Sequence, residues 1–146
     1  MLSPIQKPKM EILGMSTLER NRQVIRAYVE AFNRCDVDKL RSLFTPDAII
    51  QGVLGSAPID AAIAVWRELH QAYGISLDIE EIVIEGDVAA ARYSESGTFR
   101  KPFRGMGPTQ KSYSIIAMEW FQLRDGLIAK RWGARDSAAI NRQLGI

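Results

Sequence analysis

Apolar residues recur at two different spacings along the chain, and the change from one to the other marks its organisation. Val24, Ile25, Tyr28, Val29 and Phe32 repeat at helical spacing. Ser16, followed three residues later by Glu19, is a capping-box signature ahead of them, so a first helix is expected to about Asn33. Asp36 can cap a shorter helix carrying Val37, Leu40 and Leu43, which must stop before Pro46. Ala48 to Val53, bounded by glycines, fits a brief strand, and 58–73 reads as a third helix that Gly74 stops. Beyond Gly74 the period falls to two, giving strands over about 76–85, 88–103, 110–123 and 127–136, with a short helix near 138–144. Gly86-Asp87 and Asp125-Gly126 are hairpin turns. Helices first and a meander second predict an α+β domain in which helices cover one face of an antiparallel sheet. Residues 1–15, interrupted by Pro4 and Pro8, read as a loose leader, and 16–146 as one domain.

Composition narrows the chemistry. The 146 residues carry a net charge of +2, too small and too scattered for a nucleic-acid or membrane surface. No apolar run reaches the roughly 18 residues of a membrane span, and the start lacks a secretory signal, which places the expectation in the cytoplasm. The single cysteine, Cys35, reads as packing, and the single histidine, His70, excludes a multi-histidine metal site. Any catalysis must therefore rest on carboxylates, tyrosines and their surroundings.

The last hairpin gives a testable register. A two-residue turn at Asp125-Gly126 makes paired numbers sum to 251, setting Ile115 opposite Asp136, Ala117 opposite Ala134 and Glu119 opposite Trp132 on one face. Facing alanines beside a carboxylate leave volume for a pocket. In such a place Asp136 would lose water and its pKa would rise from about 3.9 towards neutrality, suiting it to carry a proton. The alternative is that Asp136, or Ser137, merely caps the last helix. Glu119 interrupts an apolar run and shares the inward face; it is either a second acid/base or substrate-orienting group, or a salt-bridged structural residue. About 13 Å of strand would separate the two carboxylates, too far to share a proton. Ile116, Met118 and Trp120 point to the opposite side, which a second subunit would cover, so a homodimer through the sheet is expected. The last helix or the leader is the other candidate cover.

Several stretches resemble the SnoaL-like polyketide cyclases, also called ester cyclases. They are Gly97-Thr98-Phe99, Phe103 to Thr109, Phe121 to Ile128, Trp132 to Asp136, and Arg142-Gln143-Leu144-Gly145. The resemblance, over about 17–146, implies the nuclear transport factor 2-like (NTF2-like) cone: a curved mixed or antiparallel sheet wrapped by helices around an interior pocket. It also implies a cofactor-free acid/base reaction of aldol type, with Asp136 as the general acid/base and no metal. Where such cyclases often carry a histidine on the penultimate strand, this chain has Glu119. The expected substrate is an apolar, carbonyl-bearing small molecule. Candidates for its lining are Tyr28, Phe32, Phe44, Trp66, Leu69, Tyr73, Met106, Tyr113, Ile115, Ala117, Trp132 and Ala134, the aromatic ones serving equally well as plain core. Gly105 to Thr109 is expected to bend near the mouth. Two other functions remain open: epoxide hydrolysis of the limonene-epoxide-hydrolase kind, which needs Glu119, Asp136 and an arginine such as Arg92 or Arg104 to converge, and a non-catalytic small-molecule-binding module.

Overall fold

A computed structural model describes residues 16–146; the expected leader at 1–15 lies outside them. The order is α1 (Thr17–Arg34), α2 (Val37–Ser42), β1 (Phe44–Gly52), β2 (Gly55–Pro58), α3 (Ile59–Tyr73), β3 (Ser76–Glu85), β4 (Val88–Thr98), β5 (Ser112–Arg124), β6 (Leu127–Arg135) and α4 (Ser137–Leu144). Helix starts follow local chemistry: the Ser16 side chain accepts from the Glu19 backbone N–H, and Asp36 accepts from Lys39, each satisfying a free donor of the first turn. Gly74, at φ +57°, closes α3 in the left-handed region that a residue with a Cβ enters only at a cost. No described helix is long and apolar enough to cross a membrane.

The six strands form one sheet in the order β2-β1-β6-β5-β4-β3. All neighbours are antiparallel except β1 and β6, which run parallel. β2 is an element the sequence pattern did not show; Ser56 to Pro58 lack alternating apolar side chains and are held as strand by pairing with β1. β5 alternates without interruption, burying Tyr113, Ile115, Ala117, Glu119, Phe121 and Leu123. β4 contributes Ala89, Ala91, Tyr93 and Glu95 to the same face. Tyr28 of α1 is fully buried over this face, ringed by Phe32, Phe44, Trp66 and Phe121 with centroids 5.4–6.3 Å away.

The register of β5 with β6 departs from expectation in one place. Arg124 pairs with Leu127 and Leu123 with Ile128, as the turn requires, but Gln122 then pairs with Lys130. Ala129 is an extra residue, a β-bulge, and beyond it paired numbers rise by one. A one-residue shift exchanges the faces of a strand. Arg131, Gly133 and Arg135 therefore turn inward, whereas Trp132 and Ala134 face out, and Asp136 leaves the sheet altogether. Ala117 stands beside Arg135 rather than Ala134, Glu119 beside Gly133 rather than Trp132, and Ile115 has no partner on β6.

Asp136 is exposed and forms the N-cap of α4, its Oδ1 accepting from the Ala139 N–H at 2.9 Å. Asp136→Ala should lower unfolding stability by about 1 kcal/mol, and Asp136→Asn by only a few tenths because the amide oxygen still caps. Urea unfolding of the two variants checks this.

Candidate active site

The face switch in β6 brings two guanidinium groups under the sheet to meet two buried carboxylates. Glu119 Oε2 accepts from Arg131 through both Nε and Nη2, and from the Tyr28 hydroxyl at 3.0 Å. Arg131 also donates to the Gln51 carbonyl at 3.2 Å and lies over the Trp66 ring, 5.4 Å from its centroid. In the second cluster Arg135 Nε donates to Glu95 Oε1 at 3.2 Å and Nη2 to Glu95 Oε2. Tyr113 completes it, donating to Glu95 Oε2 at 2.6 Å and accepting from Arg135 at 3.2 Å. The Glu95 and Glu119 side chains are only 5% and 6% exposed, so each needs its cation: a buried carboxylate without one would cost several kcal/mol. Gly133 leaves space for this packing, since a Cβ there would lie 2.9 Å from the Arg131 guanidinium.

Burial and charge act together on the titrating groups. Burial first, then the Glu119 charge, hold the Tyr28 and Tyr93 hydroxyls far above their ordinary pKa; burial and Glu95 do the same to Tyr113, and burial alone raises Tyr73. For Arg131 burial is the largest single influence and pulls downward, but the charges and hydrogen bonds of Glu119 and Tyr28 together outweigh it; Glu95 and Tyr113 do likewise for Arg135, so both stay firmly cationic.

Two adjoining hollows lie over these clusters. The outer one, about 290 Å³, is bounded by Val53 and Leu54 of the β1–β2 hairpin, Trp66, Leu69 and Tyr73 of α3, Phe103 and Met106, Tyr113, and Ile140 of α4. The inner one, about 60 Å³, is lined by Phe32, Trp66, Leu69, Tyr93, Glu95, Ala117 and Glu119, among others. Trp66, Leu69, Arg131 and Arg135 border both. The whole is an apolar cup with a charged floor. Phe103 and Met106 pair in a tight turn at the mouth, where Arg104, Gly105, Gly107 and Gln110 all have positive φ, in the region where a bend was expected.

Of the residues proposed from sequence, Phe32, Trp66, Leu69, Tyr73, Met106, Tyr113, Ala117 and Glu119 meet at these hollows. Tyr28 touches the site through Glu119, and Phe44 packs behind it against Trp66. Ile115 is buried but lines neither hollow. Trp132 borders a groove on the outer face of the sheet, and Ala134 borders both that groove and the inner hollow. Asp136 lines neither hollow. The convergence that epoxide hydrolysis required is not assembled: Asp136 caps α4, Arg92 is exposed on the outer face, and Arg104 pairs with Glu68.

Sequence reasoning missed Glu95, Tyr93, Arg131 and Arg135. The first two were within reach, since they are in phase with Ala89 and Ala91 on an alternating strand. The arginines were hidden by the bulge. Among the described residues no group of three or more His, Cys, Asp or Glu side chains could hold a metal ion.

All four tyrosines are held protonated beyond their ordinary value of 10. Below about pH 10 their contribution to stability is intact; as the pH rises further, the unfolded chain releases protons that the folded chain retains, and stability falls. As the pH rises past about 10, tyrosinate absorbance should therefore lag in the native protein behind a urea-denatured control, and most of it should appear together with loss of the circular dichroism signal. A smooth titration centred near 10 in the folded state would contradict this burial.

Comparison with known proteins agrees with the geometry. A search of curated protein sequences returned no significant match. Among solved structures the chain is similar to IdmH of Streptomyces antibioticus, a proposed polyketide cyclase, at 26% identity and TM-score 0.77, covering 86% of this chain and 99% of that one. TsrD of Streptomyces laurentii matches at 27% identity and TM-score 0.77, covering 86% and 95%. A proposed polyketide cyclase of Xanthomonas campestris pv. campestris, at 22% identity and TM-score 0.82 over 88% and 99%, shares the fold. The model of the SnoaL-like polyketide cyclases matches residues 22–144, and the chain belongs to that family, with its NTF2-like fold.

Proposed function

We propose that the protein is a cofactor-free enzyme of the cyclase or isomerase type, moving a proton on an apolar, carbonyl-bearing small molecule, with Glu119 as the acid/base group. Family membership supports the reaction class. The observation that carries the assignment is the unshared oxygen of Glu119. Arg131 and Tyr28 both use Oε2, whereas Oε1 is buried with no hydrogen-bond partner, next to the aromatic cup. Such an oxygen can take a proton from the carbon beside a carbonyl and return it to the oxygen of the resulting enolate. Arg131 and Arg135, bordering both hollows, offset the enolate charge where water is scarce. Both Glu95 oxygens are already engaged by Arg135 and Tyr113, which leaves that carboxylate the positioning role.

The bicyclic ketone 2-tetralone is a suitable probe, because exchange of its α-protons in D2O, followed by NMR, reports proton abstraction without requiring the natural substrate. The wild-type protein should accelerate exchange, Glu119→Gln should lower that acceleration by about 10²–10⁴-fold, and Asp136→Asn should leave it unchanged. Glu119→Asp keeps the charge beside Arg131 and controls for folding. Full activity in Glu119→Gln would remove the assignment.

The reading includes a homodimer. Ile116, Met118 and Trp120 of β5 are 65%, 53% and 53% exposed on the outer face of the sheet, and Trp132 pairs opposite Trp120. No described element covers them, α4 having packed on the cavity side. Glu81 and Arg92 flank the same groove as a cross-strand pair, so a second copy related by a two-fold axis would meet opposite charge at its edges. Trp120→Glu should convert a dimer to a monomer in sedimentation analysis without altering the circular dichroism; a monomeric wild-type protein would refute the dimer.

A further inference from the structure

The outer hollow is bordered by two hydrogen-bond donors that the fold does not use. Glu95 grips Arg135 along one edge of its guanidinium, through Nε and Nη2, and Nη2 also donates to Tyr113, which leaves Nη1 on the opposite edge. Among the described residues Nη1 has no partner, yet it is not sealed in: the Arg135 side chain is 23% exposed and borders both hollows. Tyr73 supplies the second donor. Its ring packs against Phe99, Phe103 and Tyr113 and lines the outer hollow, while its hydroxyl, again without a partner among the described residues, is not sealed in either. Burial keeps that hydroxyl protonated although the nearby Arg135 charge pulls the other way. The remaining tyrosines and the other arginine of the floor are spent. Tyr28 and Tyr113 donate to the two glutamates, Arg131 divides its nitrogens between Glu119 and the Gln51 carbonyl, and the Tyr93 hydroxyl is sealed from both hollows.

We propose that Tyr73 Oη and Arg135 Nη1 together hold one uncharged carbonyl oxygen of the substrate, whose apolar body lies against Trp66 and Leu69 in the outer hollow of about 290 Å³. Two donors call for an acceptor, and a carbonyl oxygen has two lone pairs and no proton to place. Charge decides between a carbonyl and a carboxylate. Glu95 already neutralises Arg135, so a carboxylate would bring an uncompensated negative charge into an apolar cup beside Glu95, whereas a ketone brings none. Tyr113, bonded to both members of the Glu95–Arg135 pair, holds the guanidinium in place, so the anchor is formed before the ligand arrives. Tyr73 thereby becomes the residue that separates carbonyl compounds from hydrocarbons of the same shape. This deepens the proposed function and rests on it only in taking the substrate to be a carbonyl compound held in this cup.

The experiment compares binding of 2-acetylnaphthalene and 2-isopropenylnaphthalene, which differ only in C=O against C=CH2, to the wild-type protein, to Tyr73→Phe and to Arg135→Lys by titration calorimetry. Tyr73→Phe should weaken the ketone about fivefold and leave the hydrocarbon within about twofold. Because the Tyr73 hydroxyl bonds to nothing in the fold, this variant should melt as the wild type does. Arg135→Lys keeps a cation beside Glu95 but lacks Nη1, and should lose the preference for the ketone in the same way. A merely structural role for Tyr73 would weaken both ligands alike; that outcome, or an unchanged affinity for the ketone in Tyr73→Phe, overturns the proposal. Tighter binding of 2-naphthoate than of the ketone to the wild type would overturn the assignment to an uncharged oxygen. No turnover is measured, so loss of 2-tetralone exchange in Glu119→Gln tests the proposed function separately, and either result can stand without the other.

Discussion

Two carboxylates under an apolar sheet face demand two cations, and the rest of the molecule is arranged around meeting that demand. Glu95 and Glu119 lie on adjacent strands, both in phase with the core. Had β6 continued in the register set by its turn, Trp132, Ala134 and Asp136 would have come to the same face, burying a third negative charge and leaving Arg131 and Arg135 in solvent. Inserting Ala129 as a bulge costs one irregular ladder position and exchanges the whole set. The desolvation penalty of two unpaired carboxylates far exceeds the cost of such an irregularity.

The same arrangement shapes the cavity. Arginines with long side chains, steered past Gly133, form a floor rather than a plug, and the aromatic residues of α1 and α3 close the sides. Each ion pair is tied to a tyrosine, Tyr28 for one and Tyr113 for the other, which fixes the orientation of the carboxylates. Rigid charged groups of known orientation in a water-poor space are what electrostatic catalysis requires. Satisfaction is incomplete at Tyr93 and at one oxygen of Glu119, and buried polar groups left unpaired cost stability.

Much of the architecture was legible because it rests on local rules. Ser16, Asp36 and Gly74 bound helices as their chemistry dictates, and the period-two run of β5 named its buried face residue by residue. The anomalous Glu119 within that run drew attention to a buried position, and its salt-bridged reading describes its contacts. The bulge was not legible. Ala129 carries none of the glycine or proline punctuation that advertises irregular backbone, and its cause lies on other strands. Accounting for charge across the sheet would have exposed the difficulty: an unshifted register leaves two core glutamates without a cation. The position of Asp136 follows from the same event, since a shift of one residue exchanged a lining group for a helix cap.

The claim that Arg131 was drawn inward by Glu119 can be tested most directly by a double-mutant cycle of Glu119→Gln and Arg131→Met, read by denaturant unfolding. A buried, hydrogen-bonded pair predicts a coupling energy of about 2 kcal/mol or more. Additivity within about 0.5 kcal/mol would mean that the two side chains do not meet, and that β6 keeps the register of its turn.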